Sequence, residues 1–303
     1  MRGVLVIDKP AGYTSFDVIA RLKGMLKMKR IGHGGTLDPN ATGVLPVFVG
    51  DAARLIDYLP DSDKTYEAEM TLGTATDTED IWGTVLETAE VRLEEAAVSE
   101  AVLSFEGPYE QVPPMYSAKK VGGKKLYEYA RQGIELERKP VSLQIRKIEV
   151  LEIKLPAVRF RVSCSKGTYI RTLCTDIGKK LGVPACMSAL RRVRHGRFSL
   201  DQALSLEEVE RAAKEGRAES LLIPVEQLFD CPEARVREDS LKKLLNGNRL
   251  AEADLTPAVF SEKPAGGDRP ELLKVRDTEG VFKGLYRWDP EKNSYGPEMM
   301  FLN

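Results

Sequence analysis

Apolar positions along the chain recur with two different periods, and the switches between them predict the elements. Gly3–Ile7 is a short apolar run with the length of a buried strand. "KPAGYTS" follows, with Pro10 and Gly12 as turn residues. Thr14 or Ser15 caps a helix on which Phe16, Ile19, Leu22, Met25 and Leu26 keep helical spacing. A glycine-rich stretch over 31–45, "IGHGGTLDPNATGVL", leads into a strand at Val44–Val49. "DAARLIDYL" reads as a short helix closed by Pro60. Lys64–Leu72 alternates, with Tyr66, Ala68, Met70 and Leu72 on one face. "GTATDTEDIWG" reads as a polar loop, and 92–105 as an amphipathic helix.

The pattern then changes character. Residues 112–140 hold prolines, a Gly122–Gly123 pair and clustered lysines around a short helix near 125–132. Such an excursion has the marks of a lid or binding loop. Strands return at 141–154 and 157–165, followed by a helix from Tyr169 to Leu181, a basic strand near 189–198 and a polar helix at 206–215. "PVEQLFDCPEARV" marks a boundary between a large domain, 1–230, and a small one, 231–303. The small domain offers a basic helix (238–246), a proline- and glycine-rich loop (256–270) and strands at 271–276 and 281–288. Strands that often follow strands, with helices between some of them, argue an α+β fold. There is no internal repeat.

Length and composition leave room for one large core or two unequal ones: 303 residues, 42% hydrophobic and 30% charged. No apolar run is long enough to span a bilayer, and the chain opens directly on a strand, so a cytoplasmic protein is expected. Four scattered cysteines and two histidines argue against zinc and for buried, reduced thiols. The net charge of −1 hides an asymmetry. Residues 159–197 carry ten Lys or Arg against one acid, Asp176. Residues 61–111 carry fourteen acids against two bases and are expected on the opposite, solvent-facing side. A basic segment interleaved with Tyr169, Ile170, Leu173 and Leu190 is a folded surface suited to phosphates.

The glycine-rich stretch is not a nucleotide-phosphate loop. It lacks the lysine of a Walker A motif and runs into a strand rather than a helix. Pro39 instead stiffens the backbone after Asp38, and the flanking glycines permit tight turns. Asp38 is therefore either a displayed carboxylate or the acceptor of an Asx turn. Its "NAT" neighbour matches a glycosylation sequon by chance.

Four segments in order carry a resemblance: "VIDKPAGYTS", "GHGGTLDPNATGVL", "KTYEAEMTLG" and "KGTYIRTLCTDIG". Together they closely resemble the bacterial TruB-type tRNA pseudouridine synthases, which isomerise the uridine at position 55 in the T loop of tRNA. The likeness runs from the first strand to about residue 200. A final small domain resembles a PUA RNA-binding module, although its 256–270 segment is longer than a minimal module needs.

The resemblance implies a mixed, mainly antiparallel catalytic sheet with an inserted mobile loop, and no cofactor, because the reaction is an isomerisation. It implies Asp38 as nucleophile, Arg171 as its cationic partner and Tyr66 as the residue that stacks on the base, its hydroxyl near C5. A carboxylate suits a sugar carbon that develops positive charge. A guanidinium orients it and keeps its own proton. Tyr169 is expected to pack beside Arg171, His33 to contact the flipped nucleotide, Leu190 to touch the substrate, and Lys9 to support the loop or contact RNA. From charge alone Arg171 reads as a phosphate contact, and without the resemblance Tyr66 reads as a core residue. Asp8 is the rival carboxylate. The target base must leave its stack, so recognition rests on the shape and phosphates of the tRNA T arm. Segments 21–30, 116–147 and 159–197 supply the cations. The excursion is expected to order on RNA, and the protein to act as a monomer without a protein partner. A tRNA-folding protein, or one working inside a guide-RNA particle, are the competing readings.

Overall fold

The computed structural model describes residues 1–56, 58–59, 63–256 and 269–302. They form two compact units, Gly3–Leu222 and Ile223–Asn303.

In chain order the first unit opens with β1 (Gly3–Lys9), α1 (Ser15–Leu26), β2 (Ile31–His33) and β3 (Thr42–Val49). Next come a 3-10 helix (Gly50–Leu55), β4 (Lys64–Leu72), β5 (Thr74–Thr76), β6 (Val85–Thr88), α2 (Glu95–Leu103) and β7 (Gly107–Gln111). The excursion holds β8 (Lys120–Val121), β9 (Lys124–Lys125) and α3 (Leu126–Ala130). The unit ends with β10 (Val141–Lys154), β11 (Ala157–Cys164), α4 (Ile170–Leu181), β12 (Ala185–His195), β13 (Phe198–Ser199) and α5 (Leu206–Lys214).

One nine-stranded sheet, ordered β1-β3-β12-β4-β11-β10-β7 with β2 on β3 and β13 on β12, organises this unit. Its pairings are antiparallel except β3 with β12, which run parallel over Arg191↔Thr42 and Arg192↔Gly43. The fold is α+β with a mainly antiparallel sheet. That short parallel seam joins two antiparallel blocks, each with its own core. Leu5, Ile7, Leu45 and Val47 pack against Val18, Ile19 and Leu22 of α1 and Val209 of α5. Met70, Phe160, Val162 and Ile148 pack against Val98 and Val102 of α2 and Leu173 and Ile177 of α4.

Local chemistry explains the elements. Thr14 and Asp17 form a reciprocal capping box at α1, and Ser205 with Glu208 does the same at α5. In β4 every second residue is buried, the phase that the alternation predicts. Several details differ from expectation. "DAARL" tightens into a 3-10 helix, and Asp57 and Pro60 lie outside the described residues. "GTATDTEDIWG" is not all loop, because Thr74–Thr76 pairs with Val85–Thr88. The helix expected over 92–105 is confined to Glu95–Leu103. The short β2 and β7 are too brief to show a period in sequence.

The second unit has β14 (Glu233–Arg235), α6 (Leu241–Leu245), β15 (Leu272–Arg276), β16 (Phe282–Asp289) and β17 (Ser294–Met300). The strands form one sheet in that order around Leu244, Leu273, Val275, Tyr286 and Tyr295. Most of the loop expected over 256–270 lies outside the described residues. No helix among the described residues is long and apolar enough to cross a membrane.

Candidate active site

A cavity of about 410 Å³ opens beside the parallel seam. Asp38, Tyr66, Tyr169, Arg171 and Leu190 all line it. They come from four places in the chain. Asp38 follows β2, Tyr66 is the third residue of β4, Tyr169 and Arg171 sit at the start of α4, and Leu190 is on β12.

Asp38 and Arg171 form an ion pair, with Nε 3.0 Å from Oδ2. The arginine side chain is 6% exposed and the aspartate 41%, so the carboxylate is fixed from behind and open in front. The other two guanidinium nitrogens donate to the carbonyls of Thr78 and Tyr116, both at 2.9 Å. Asp80 adds a second carboxylate 4.0 Å from Nε. The guanidinium is thus held in one plane by four oxygens, a geometry that an ammonium cannot reproduce. Tyr169 is held at the foot of α4 by Gln111, whose amide accepts from its backbone N–H at 2.8 Å and donates to its carbonyl at 2.9 Å.

Two buried cations stiffen the Asp38 loop. Arg192 is fully buried, and its guanidinium donates to the carbonyls of Val44, Thr36 and Gly35. Its remaining partner is the Tyr66 hydroxyl. Burial pushes that hydroxyl up to about 12, so the phenol keeps its proton at neutral pH. Lys9 is also fully buried and donates to the carbonyls of Pro10, Tyr13 and Pro39. Of the two roles expected of Lys9, loop support and RNA contact, the amine here faces the loop. Its amine is saturated by carbonyls and anchors Pro39, the residue after Asp38.

His33 does not line this cavity. Its ring meets the exposed Phe16 edge-on at 5.6 Å, and burial together with Arg192 lowers its pKa. Asp8 is paired with Arg191 at 2.8 Å and is likewise absent from the lining. The acidic segment is not wholly turned away from the site. Asp80 faces Arg171, and the half-buried Glu79 accepts from the Thr172 hydroxyl. Sequence reasoning did not single out Arg192, Gln111, Asp80 or Lys64. For Arg192 and Lys64 a signal existed, since they share strand phase with Leu190 and Tyr66 respectively.

Comparison with known proteins identifies the family. Residues 23–170 match the model described as "TruB family pseudouridylate synthase (N terminal domain)". Residues 171–230 match "tRNA pseudouridylate synthase B C-terminal domain". The chain is 48% identical over 311 residues to "tRNA pseudouridine synthase B" of Lachnoclostridium phytofermentans, covering 100% of each. It is 45% identical to the Bacillus subtilis protein of the same name, covering 96% of this chain and 94% of that one. Among solved structures, a Cbf5-Nop10-Gar1 complex aligns with a TM-score of 0.69 and 28% identity, over 98% of this chain and 84% of that one. An H/ACA RNP bound to a substrate RNA containing 2′-deoxyuridine gives 0.68 and 26%, over 99% and 85%.

Proposed function

Because the chain belongs to the TruB family of pseudouridylate synthases, we propose that it converts a uridine of tRNA, the T-loop uridine at position 55, into pseudouridine, with Asp38 as nucleophile. The observation that carries this reading is the Asp38–Arg171 pair at 3.0 Å in the wall of a cavity, with the carboxylate side open.

On this reading the carboxylate acts on the sugar of the target nucleotide. The carboxylate attacks C1′ as the N1–C1′ bond breaks, and the uracil leaves with the electron pair. The base turns within the cavity, C5 bonds to C1′ and the carboxylate departs. The C5 proton is lost and N1 gains one, so atoms balance without a cofactor. Addition of the carboxylate to C6, or removal of a ribose proton, are the other routes open to the same residue. Arg171 holds the carboxylate aimed into the cavity. Tyr66 offers its ring to the base, and its high hydroxyl pKa makes it a hydrogen-bond partner rather than a ready base. Tyr169 and Leu190 complete the wall. His33, with Phe16, contacts the RNA outside the cavity.

In this reading the excursion and the basic segments grip the T arm, and the Ile223–Asn303 unit is a PUA-like RNA-binding module. The protein works in the cytoplasm as a monomer, without a protein partner. The test is pseudouridine formation in an unmodified tRNA transcript by purified protein, beside Asp38→Asn. Product at the T-loop uridine from the parent alone supports the reading. Equal product from both removes Asp38 from the mechanism. No product from either, with binding intact, favours a tRNA-folding or guide-dependent protein.

A further inference from the structure

Gln111 is the last residue of β7, the edge strand of the main sheet, and is fully buried. Its amide bonds a residue that is distant in sequence. The amide oxygen accepts from the Tyr169 backbone N–H at 2.8 Å, and the nitrogen donates to the Tyr169 carbonyl at 2.9 Å. The second amide hydrogen goes to the Tyr109 hydroxyl at 3.1 Å. That hydroxyl donates in turn to Asp176 Oδ2 at 2.6 Å. Turning the amide over would set donor against donor, so only this orientation satisfies every partner.

These contacts fall on the helix that carries Arg171. Tyr169 is the N-cap residue of α4, and its own side chain makes no capping bond. N–H groups at a helix start lack intrahelical acceptors, and Gln111 supplies one from a strand. Asp176 lies about two turns further along α4. Tyr109 and Gln111 alternate onto one buried face of β7, so that face pins α4 at two points. Two points fix both the rotation of the helix and its position along its axis. Arg171 stands between them. A slip of α4 by one residue's rise, about 1.5 Å, would break the 3.0 Å contact of its guanidinium with Asp38. Misplacing a catalytic group by about 1 Å costs on the order of 100-fold in rate.

We propose that Gln111 is a positioning residue: through Tyr169 it sets where Arg171 holds the Asp38 carboxylate, without touching the RNA. It stands outside the cavity lining. The Tyr116 carbonyl, further along the same stretch of chain, adds a second tie to Arg171 at 2.9 Å. The inference rests on the pseudouridylation reading and adds to it a residue behind the site.

The experiment compares Gln111→Met and Gln111→Glu with the parent, each in the full chain and below its melting transition. Single-turnover rate and affinity are measured on T-stem-loop RNA. Gln111→Met removes both bonds to Tyr169. Its rate should fall by about 10- to 100-fold with affinity within about threefold. Added to Arg171→Lys, it should slow the reaction by less than about twofold more, because both changes disable one unit. Gln111→Glu repeats both bonds only when protonated. The charges acting on the adjoining Tyr109, Asp176 and Glu79, are both negative and favour the protonated acid. The rate of Gln111→Glu should therefore approach the parent's as pH falls, whereas the ratio for Gln111→Met stays flat. A residue that only stabilises the fold would leave the rate parental, or lower rate and affinity together. Either result overturns the proposal, as do losses that multiply in the double variant or a Gln111→Glu rate that stays low at every pH. If Gln111→Met does not fold, Gln111→Glu decides. The Arg171 Nε–H resonance, identified by its disappearance in Arg171→Lys, reads the same contact without RNA. It should move in the Gln111 variant as it does in Asp38→Asn, and an unmoved resonance overturns the proposal. Absence of product from the parent counts against the pseudouridylation reading, and the resonance then decides the role of Gln111.

Discussion

The guanidinium of Arg171 commits all three nitrogens at once: Nε to Asp38 at 3.0 Å, and the other two to the carbonyls of Thr78 and Tyr116. It therefore links the candidate nucleophile to the polar turn after β5 and to the excursion over the cavity. A lysine supplies the charge but not the planar fork. Arg171→Lys should lower the single-turnover rate by about 100-fold while leaving RNA affinity within about threefold. A variant whose rate is unchanged would show that charge alone suffices.

Lys9 makes a contrasting prediction, because it acts on the loop from behind. Lys9→Met leaves the carbonyls of Pro10, Tyr13 and Pro39 without their donor. The protein should lose about 3 kcal/mol of stability in urea unfolding, from buried acceptors left unpaired. Turnover should fall with it, because Pro39 no longer fixes Asp38. Parental stability would mean that the clamp contributes nothing net.

The parallel seam is equally exposed to test. Gly43 has φ +100°, and a Cβ there would lie 2.2 Å from the Arg192 carbonyl oxygen. Gly43→Ala should cost more than about 2 kcal/mol, through strain and separation of the strands. A circular dichroism melt within a degree or two of the parent's would contradict this account.

Lys64 predicts a pH dependence. Its folded pKa of about 8 lies below the ordinary lysine value of 10.5, so between these values the unfolded chain binds more protons. Its contribution to stability therefore rises with pH from about 8 to 10.5, and is at its most unfavourable below 8. Lys64→Met removes that contribution. The variant's stability relative to the parent should be highest below pH 8 and fall by up to about 3 kcal/mol by pH 10.5. Denaturation of both proteins at pH 7, 8, 9 and 10.5 measures the difference, and a flat difference would refute the assignment.

The excursion predicts a response to RNA. Between 118 and 135 only Leu126 is buried, and the β8–β9 hairpin is two residues a side. Few buried contacts make local opening inexpensive. Amide exchange over this segment should be fast in the free protein and slow at least about tenfold when T-arm RNA is bound. Equal protection in both states would argue for a permanently closed cover.

The order of strands and helices was largely legible from the chain, because period and capping are local properties. The alternation of Lys64–Leu72, the cap at Thr14 and the helix following Tyr169 all depend on neighbours within a few residues. The loop that carries Asp38 was legible as stiff for the same reason. What no local pattern contains is the partner of a buried charge. Arg192, adjacent to a second arginine in a basic segment, carries every compositional mark of a surface residue. It is buried because the carbonyls of Gly35, Thr36 and Val44 converge on it across the seam. Lys9 is buried for the same reason, by the carbonyls of Pro10, Tyr13 and Pro39. Burying a cation is tolerable only where such acceptors meet, and only the folding of distant segments brings them together.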